Sequence, residues 1–212
     1  MTQISNLIDG YRAFRSHFFQ DNRAYFEQLI TADQRPTFMI ISCCDSRVDP
    51  TVIFGVAPGD VFMLRNVANL VPPYSPDENY HGTSAALEFA VRGLEVPNII
   101  VFGHAGCGGI ETFLQGSEGI GRDVEFIDKW MSIAKGGQSR ARELNMRHAV
   151  DPWQRAVEQG SILNSLDNLR TFPFVCEQIE NGRLTLHGWY IDLMSGELMI
   201  YSEDEKCFLS VN

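Results

Sequence analysis

The strongest hydrophobic signal in the chain is three short runs of apolar residues, each of which follows a turn-forming residue. The runs cover residues 37–42, 61–64 and 98–102. Continuous apolar runs of this length are typical of strands that are buried on both faces of a parallel sheet. The sequence therefore predicts three buried strands, and the first of them ends at Cys43.

Apolar residues at helical spacing surround these runs. Residues 1–30 are predicted to form an amphipathic helical arm, which needs a surface to pack on. Its apolar positions include Leu7, Tyr11, Phe14 and Phe18. Between the second and third runs, Thr83 or Ser84 is expected to cap a helix. Strands that alternate with helices predict an α/β fold, with a mainly parallel central sheet flanked by helices.

The second half of the chain is predicted to be helical first and then extended. Residues 121–169 read as two or three helices, with a break at Gly136 and Gly137. Residues 172–176, 184–191 and 197–201 have the pattern of strands, and the last of these adds a C-terminal edge strand. We see no repeat or linker, so residues 1–212 are expected to form one domain with an arm (1–30), a core (36–115) and a C-terminal part (121–212).

Charge and cysteine content limit the partners and the cellular compartment that are expected for this protein. The net charge of −10 argues against nucleic acid and anionic membranes as partners. The first residues lack the basic and apolar regions of a signal peptide, and no apolar run is long enough to span a bilayer. Five cysteines, an odd number, suggest reduced thiols. A cytoplasmic location, or another soluble reducing compartment, is therefore expected.

Two stretches rich in chemically active residues begin where predicted strands end. They are residues 43–47, Cys-Cys-Asp-Ser-Arg, and residues 103–109, Gly-His-Ala-Gly-Cys-Gly-Gly. His104 and Cys107 are spaced to share a zinc ion, to which Cys43 would add a third ligand and leave one position open. Taken singly, each stretch also fits a tight turn at a strand end, and the glycine-rich one fits an anion-binding loop. Together, at equivalent strand ends, they favour a metal site.

Three motifs, at matching separations, make the sequence resemble the beta-class carbonic anhydrases. They are C-x-D-S-R at 43–47, R-N-V-A-N at 65–69 and G-H-x-x-C-G-G at 103–109, and the resemblance is close over about 23–115. It implies a Zn²⁺ cofactor held by Cys43, His104 and Cys107 within the 36–115 core. It also implies that Asp45 and Arg47 form a catalytic dyad.

The reaction implied by this resemblance is the reversible hydration of carbon dioxide to bicarbonate and a proton. Hydroxide at the zinc would attack the carbon of carbon dioxide. Ionised Asp45 would accept a hydrogen bond from that hydroxide, and Arg47 would hold Asp45 in a bidentate pair. If Arg47 did not hold it, Asp45 could instead bind the metal and fill the open position. We expect the open arrangement, in which Asp45 is paired with Arg47.

The resemblance also implies the residues that line the carbon dioxide pocket. These are Gln34, Phe62, Val67, Phe89 and Gly108. The plant-like subset of the family has tyrosine where this chain has Phe89, so a hydroxyl is missing there. The bicarbonate-regulated subset has tryptophan three residues before its first ligand, whereas this chain has an isoleucine. A plant-like, non-allosteric member is therefore expected.

The sequence leaves two alternative functions open and also suggests how the protein assembles. The same zinc site could hydrolyse carbon disulfide or carbonyl sulfide. It could instead be a structural zinc module, closed by Cys176 or Cys207 as a fourth ligand, although both read more simply as small hydrophobic residues. The family resemblance further implies a homodimer or a dimer of dimers, in which the helical arm reaches across to a neighbouring subunit.

Overall fold

A computed structural model describes residues 3–116, 124–148 and 152–211. Contacts divide the chain into two compact units, Met1–Arg35 and Pro36–Asn212. Within the predicted helical region, 121–123 and 149–151 lie outside the described residues. Among the helices that are described, none is both long enough and apolar enough to cross a membrane.

The first unit is helical, as the sequence predicts. Its helices are α1 (Ile4–Ser16), α2 (Phe18–Asp21) and α3 (Arg23–Thr31). None of the described residues in these three helices is buried. Phe14, Phe18, Phe19 and Phe26 contact one another, with ring centroids 5.1 to 6.2 Å apart. The unit thus has a small aromatic cluster of its own but leaves most of its apolar surface exposed.

The second unit is built on one six-stranded sheet. In chain order the strands are β1 (Phe38–Cys43), β2 (Val61–Asn66), β3 (Asn98–His104), β4 (Thr185–Ile191), β5 (Leu198–Ser202) and β6 (Cys207–Ser210). Their spatial order is β2-β1-β3-β4-β5-β6. The first four are parallel, and β5 and β6 are added antiparallel. The predicted α/β class is confirmed, and β6 is a further edge strand that the sequence pattern did not indicate.

Seven α-helices are described in this unit, besides a short 3-10 helix (Val67–Asn69) and a π-helix (Phe89–Gly93). The α-helices are α4 (Pro50–Phe54), α5 (Gly82–Glu88), α6 (Gly108–Gln115), α7 (Ile127–Met131), α8 (Ala134–His148), α9 (Trp153–Leu169) and α10 (Pro173–Glu180). The prediction of a strand over 172–176 is wrong, because α10 occupies that segment. Proline favours the first turn of a helix, and a short apolar run looks the same in a buried helix and in a strand.

Two smaller expectations about these elements are also wrong. Helix α5 begins at Gly82 after His81, so Thr83 and Ser84 lie inside its first turn and do not cap it. Strand β2 is half-buried rather than buried on both faces, because it forms an edge of the sheet.

Gly136 and Gly137 do not break a helix, as the sequence suggested, but lie within α8. A β-carbon on Gly137 would come within 2.7 Å of the Ser161 Cα atom on α9, and one on Gly160 within 2.8 Å of the Ala141 nitrogen on α8. The two helices therefore pack backbone against backbone, and glycine is required by the close approach rather than by a turn.

Helix α9 places its many buried residues against the sheet and against α8. Among them are the polar residues Glu158, Gln159, Ser161 and Ser165. The parallel register aligns Ser42 of β1 with Phe102 of β3, so the carboxyl ends of both strands meet at one edge of the sheet. This is the edge at which ligands bind in open α/β sheets.

Candidate metal centre

Three side chains that the sequence singled out meet at this edge. Cys43 is the last residue of β1, His104 is the last residue of β3, and Cys107 precedes α6. Their ligand atoms all lie within 4.8 Å of one another, and all three residues are buried. Within the described residues, neither Cys176 nor Cys207 belongs to this group. Cys176 instead donates its thiol hydrogen to the Arg170 carbonyl oxygen at 2.8 Å.

His104 has the hydrogen bonding expected of a metal ligand. Its Nδ1 atom lies 2.9 Å from the carbonyl oxygen of Ala105, so Nδ1–H donates there and Nε2 keeps its lone pair. Nε2 is buried and has no hydrogen-bond partner within the described part of the chain. A buried imidazole nitrogen without a partner is costly unless a cation occupies the position it faces. The residues present therefore fit a metal ion.

The two thiols also favour a cation between them. The Cys43 and Cys107 sulfur atoms are 3.9 Å apart. A hydrogen bond from the Cys107 thiol lowers the pKa of Cys43 well below its usual range. The Cys43 thiolate, together with burial, raises the pKa of Cys107. The pair thus loses one proton easily and the second with difficulty, because two thiolates this close repel each other. A divalent ion removes that repulsion, and two sulfurs with one imidazole suit zinc.

Asp45 and Arg47 form a bidentate pair beside the three ligands. Arg47 Nε donates to Asp45 Oδ1 at 3.0 Å, and Nη2 donates to Oδ2 at 2.7 Å. The same Nη2 donates to the Gly106 carbonyl oxygen at 2.9 Å, which ties the pair to the loop between β3 and α6. These hydrogen bonds hold the pKa of Asp45 well below its usual range. Asp45 Oδ2 lies 3.9 Å from His104 Nε2.

Arg65 fixes the loop that carries Asp45. Its guanidinium donates to the carbonyl oxygens of Cys43 at 3.0 Å, Asp45 at 2.8 Å and Val48 at 2.6 Å. These three hydrogen bonds to main-chain oxygens give Arg65 a loop-packing role.

Glycine at position 109 is explained by how closely two of the motifs approach each other. A β-carbon there would lie 2.8 Å from Val67 Cγ1 and 3.2 Å from the Ala68 β-carbon. Ala68 and Asn69 have left-handed backbones, with φ of 63° and 48°, so the chain turns sharply after β2. The R-N-V-A-N and G-H-x-x-C-G-G motifs are therefore in contact, which explains why they occur together.

The predicted substrate residues fall in different places. Phe62 and Phe89 contact each other with ring centroids 5.8 Å apart, and 55% of Phe89 is exposed. Val67 packs against Gly109, and Gly108 begins α6. Gln34 belongs to the first unit. Their roles toward a substrate stay predictions.

Glu158 was missed by the sequence reasoning. It lies on α9, is only 4% exposed, and accepts a hydrogen bond from the main-chain N–H of Cys107 at 2.9 Å. Gln154 and Tyr190 donate to the same carboxyl group, at 3.0 and 2.7 Å. Burial raises the pKa of Glu158. A glutamate in a helix is ordinarily solvated, so no local pattern indicates that this one lies beside the cluster.

A family model described as carbonic anhydrase matches residues 38–198 of this chain. Beta carbonic anhydrase 5, chloroplastic, of Arabidopsis thaliana is 38% identical over 193 residues, which are 90% of this chain and 62% of that protein. The chain thus spans less than two thirds of the length of this relative. The match to a chloroplastic plant protein is consistent with the expected plant-like subset.

Solved structures agree with this match. The beta-carbonic anhydrase CcaA superposes with a TM-score of 0.88 at 31% identity, covering 99% of this chain and 92% of that one. A tetrameric beta-carbonic anhydrase of Sordaria macrospora gives a TM-score of 0.77 at 29% identity, covering 97% and 98%. The motifs, the fold and these matches lead to one conclusion: the chain belongs to the beta class of the carbonic anhydrase family.

Proposed function

We propose that this protein catalyses the zinc-dependent, reversible hydration of carbon dioxide to bicarbonate and a proton. The observation that carries the proposal is the cluster of Cys43, His104 and Cys107, which leaves one position of a tetrahedral ion free, with an ionised carboxylate beside it. A site closed by a fourth cysteine would have no such position. Family membership supplies the reaction class.

The metal and the two charged residues have different tasks in this proposal. Zinc lowers the pKa of water that it binds to about 7, a value taken from carbonic anhydrases with three-histidine sites, and so supplies hydroxide at neutral pH. Ionised Asp45 can only accept hydrogen bonds, so it would select and orient a donor O–H group at the open position. Arg47 keeps Asp45 ionised and directed by its two hydrogen bonds.

Aromatic and aliphatic side chains are proposed to receive carbon dioxide. Phe62 and Phe89 form an apolar pair, and Val67 packs against the glycine that follows Gly108. Gln34, by family resemblance, would donate a hydrogen bond to bicarbonate. Because Phe89 has no hydroxyl, proton release has to use another group or the buffer.

We also propose that the protein assembles as a homodimer or a dimer of dimers. The support is the first unit, in which Leu7 and Tyr11 expose 69% and 59% of their surface, as an unpartnered amphipathic helix does. A relative from Sordaria macrospora is described as tetrameric. A monomer at all concentrations in light scattering would contradict this assembly. A cytoplasmic or other reducing compartment stays a prediction, in keeping with five free cysteines.

Stopped-flow hydration of carbon dioxide by the purified zinc-loaded protein tests the activity. We expect a rate well above that of the buffer, and we expect it to disappear in His104→Ala. A wild-type rate equal to the buffer rate would refute the proposal. Parallel assays of sulfide release from carbon disulfide and carbonyl sulfide distinguish the related hydrolase, and zinc retained without any of these activities would favour the structural module.

A further inference from the structure

We propose that Glu158 is a positioning residue for the metal centre: it holds the Cys107 main chain so that the Cys107 sulfur stays on the ion. This inference rests on the proposed metal site and extends it from the ligands to helix α9. The contact that carries it is the hydrogen bond from Cys107 N–H to Glu158 Oε1, 2.9 Å long and buried.

The surroundings of Glu158 are unusual for a carboxylate. Burying a carboxylate is costly unless it is paired or fully hydrogen-bonded. None of the described lysine or arginine side chains forms an ion pair with Glu158; Arg155, one turn earlier on the same helix, pairs with Asp192 at 3.2 Å instead. Neutral donors alone satisfy the group, and one of them belongs to a metal ligand.

The carboxylate is held in place from two sides. Tyr190 Oη donates to Oε2 at 2.7 Å from strand β4, and Gln154 Nε2 donates to Oε1 at 3.0 Å from the preceding turn of α9. Tyr190 itself is fully buried. Since β4 pairs with β3, the strand that ends at His104, Glu158 connects the helix and the strand to the ligand loop.

Geometry explains why Cys107 needs this support more than the other two ligands. Cys43 and His104 end strands, where hydrogen bonds to neighbouring strands fix the backbone. Cys107 lies in the loop before α6 and directly follows Gly106, whose φ is 67°. Side chains that orient a metal ligand in this way typically change metal affinity or activity about 10- to 100-fold when they are replaced.

Two variants separate the reach of the side chain from its charge. Glu158→Asp keeps the charge but withdraws the carboxylate by one methylene, and we expect zinc affinity to fall about 10- to 100-fold. Glu158→Gln keeps an oxygen at the Cys107 N–H and loses the charge, so we expect affinity within about fivefold of wild type. Gln154→Ala is the matched control, because it removes a neighbouring donor and leaves the Cys107 contact intact.

Zinc affinity is measured by competition with a chromophoric chelator. The thiolate-to-metal charge-transfer band of the Co²⁺-substituted proteins reports the geometry of the sulfurs, and a merely structural role would leave this band unchanged in every folded variant. We expect an altered band in Glu158→Asp and a wild-type band in Glu158→Gln and Gln154→Ala. The unfolding temperature of the metal-free proteins is recorded alongside.

Wild-type affinity in Glu158→Asp, or a loss in Glu158→Gln as large as in Glu158→Asp, would overturn the positioning role. If Glu158→Asp does not fold, Glu158→Met takes its place, because it fills similar space and offers no oxygen to the Cys107 N–H: an altered band supports the proposal and a wild-type band contradicts it. Failure of the proposed function is a separate result, because wild-type protein that binds no zinc would refute that function before any variant is compared.

Discussion

Two carboxylates lie beside the same ligand cluster, and their surroundings are opposite. Asp45, on the solvent side, is paired with Arg47, whose side chain is 60% exposed, and its pKa is lowered. Glu158, on the core side, is held by neutral donors, and burial raises its pKa. A charged partner suits a carboxylate that must stay ionised near substrate, whereas hydrogen bonds from neutral donors suffice for a carboxyl group that fixes a backbone.

The largest effect is expected from a variant that removes the metal centre, beside which both carboxylates lie. His104→Ala should lower zinc affinity by more than about 100-fold, because losing a ligand costs more than losing its hydrogen-bonded support. Zinc content after dialysis and the hydration rate measure this effect. His187→Ala is the control, since His187 bonds Asn98 and lies outside the cluster. Full zinc content in His104→Ala would exclude this ligand set.

Asp45→Asn tests the solvent side alone. We expect kcat/KM for hydration to fall about 10²- to 10³-fold, the range for loss of one positioned hydrogen-bonding group, because the amide also offers a donor to the open position. Zinc content should stay at the wild-type level, unlike in Glu158→Asp. Asp49→Asn is the matched control, since Asp49 caps α4. A rate unchanged by Asp45→Asn would remove Asp45 from the mechanism.

Packing on the core side of the metal centre depends on how closely helices α8 and α9 approach each other. Gly160→Ala should lower the free energy of unfolding by about 1–3 kcal/mol, because the new methyl group meets the backbone of α8. Thermal or urea unfolding measures the change. Gly82→Ala, which adds a methyl group with no neighbour within 4 Å, should change stability by less than about 1 kcal/mol. Equal effects of the two variants would mean that the helices can separate without cost.

The ion pair between Asp45 and Arg47 should weaken only at low pH. The pKa of Asp45 is lower in the folded state than its unfolded value of about 3.9, so its contribution is complete above that pH and is lost as the pH falls through the folded-state pKa. Arg47→Ala should therefore lower the unfolding free energy of the metal-free protein by about 1 kcal/mol or less at pH 7 and equally at pH 5, and by less below about pH 3.9.

Unfolding curves at several pH values, with Asp45→Asn and the double variant completing a cycle, isolate the contribution of the pair. A coupling between positions 45 and 47 that is absent at pH 7, or that is no smaller at pH 2 than at pH 7, would show that Arg47 does not lower the pKa of Asp45.

Local patterns determined much of this protein in advance. The apolar runs at 37–42 and 98–102 predicted β1 and β3, because a buried parallel strand reads as a continuous apolar stretch. Since parallel strands end at one edge, the same runs predicted that Cys43 and His104 would meet. The spacing of the three motifs led to the family, and the matches with known proteins confirmed it.

Contacts between segments that are distant in the sequence were decided only by the tertiary structure. Residues 172–176 are helical although their apolar run fits a strand, because packing and not local pattern chooses between the two. Gly137 and Gly160 allow helices α8 and α9 to cross closely. In the sequence, the neighbouring glycines at 136 and 137 look the same as a break in a helix. Glu158 meets Cys107 across 51 positions. Such a hydrogen bond leaves no periodicity in the sequence, because it exists only once the helix and the sheet have packed together.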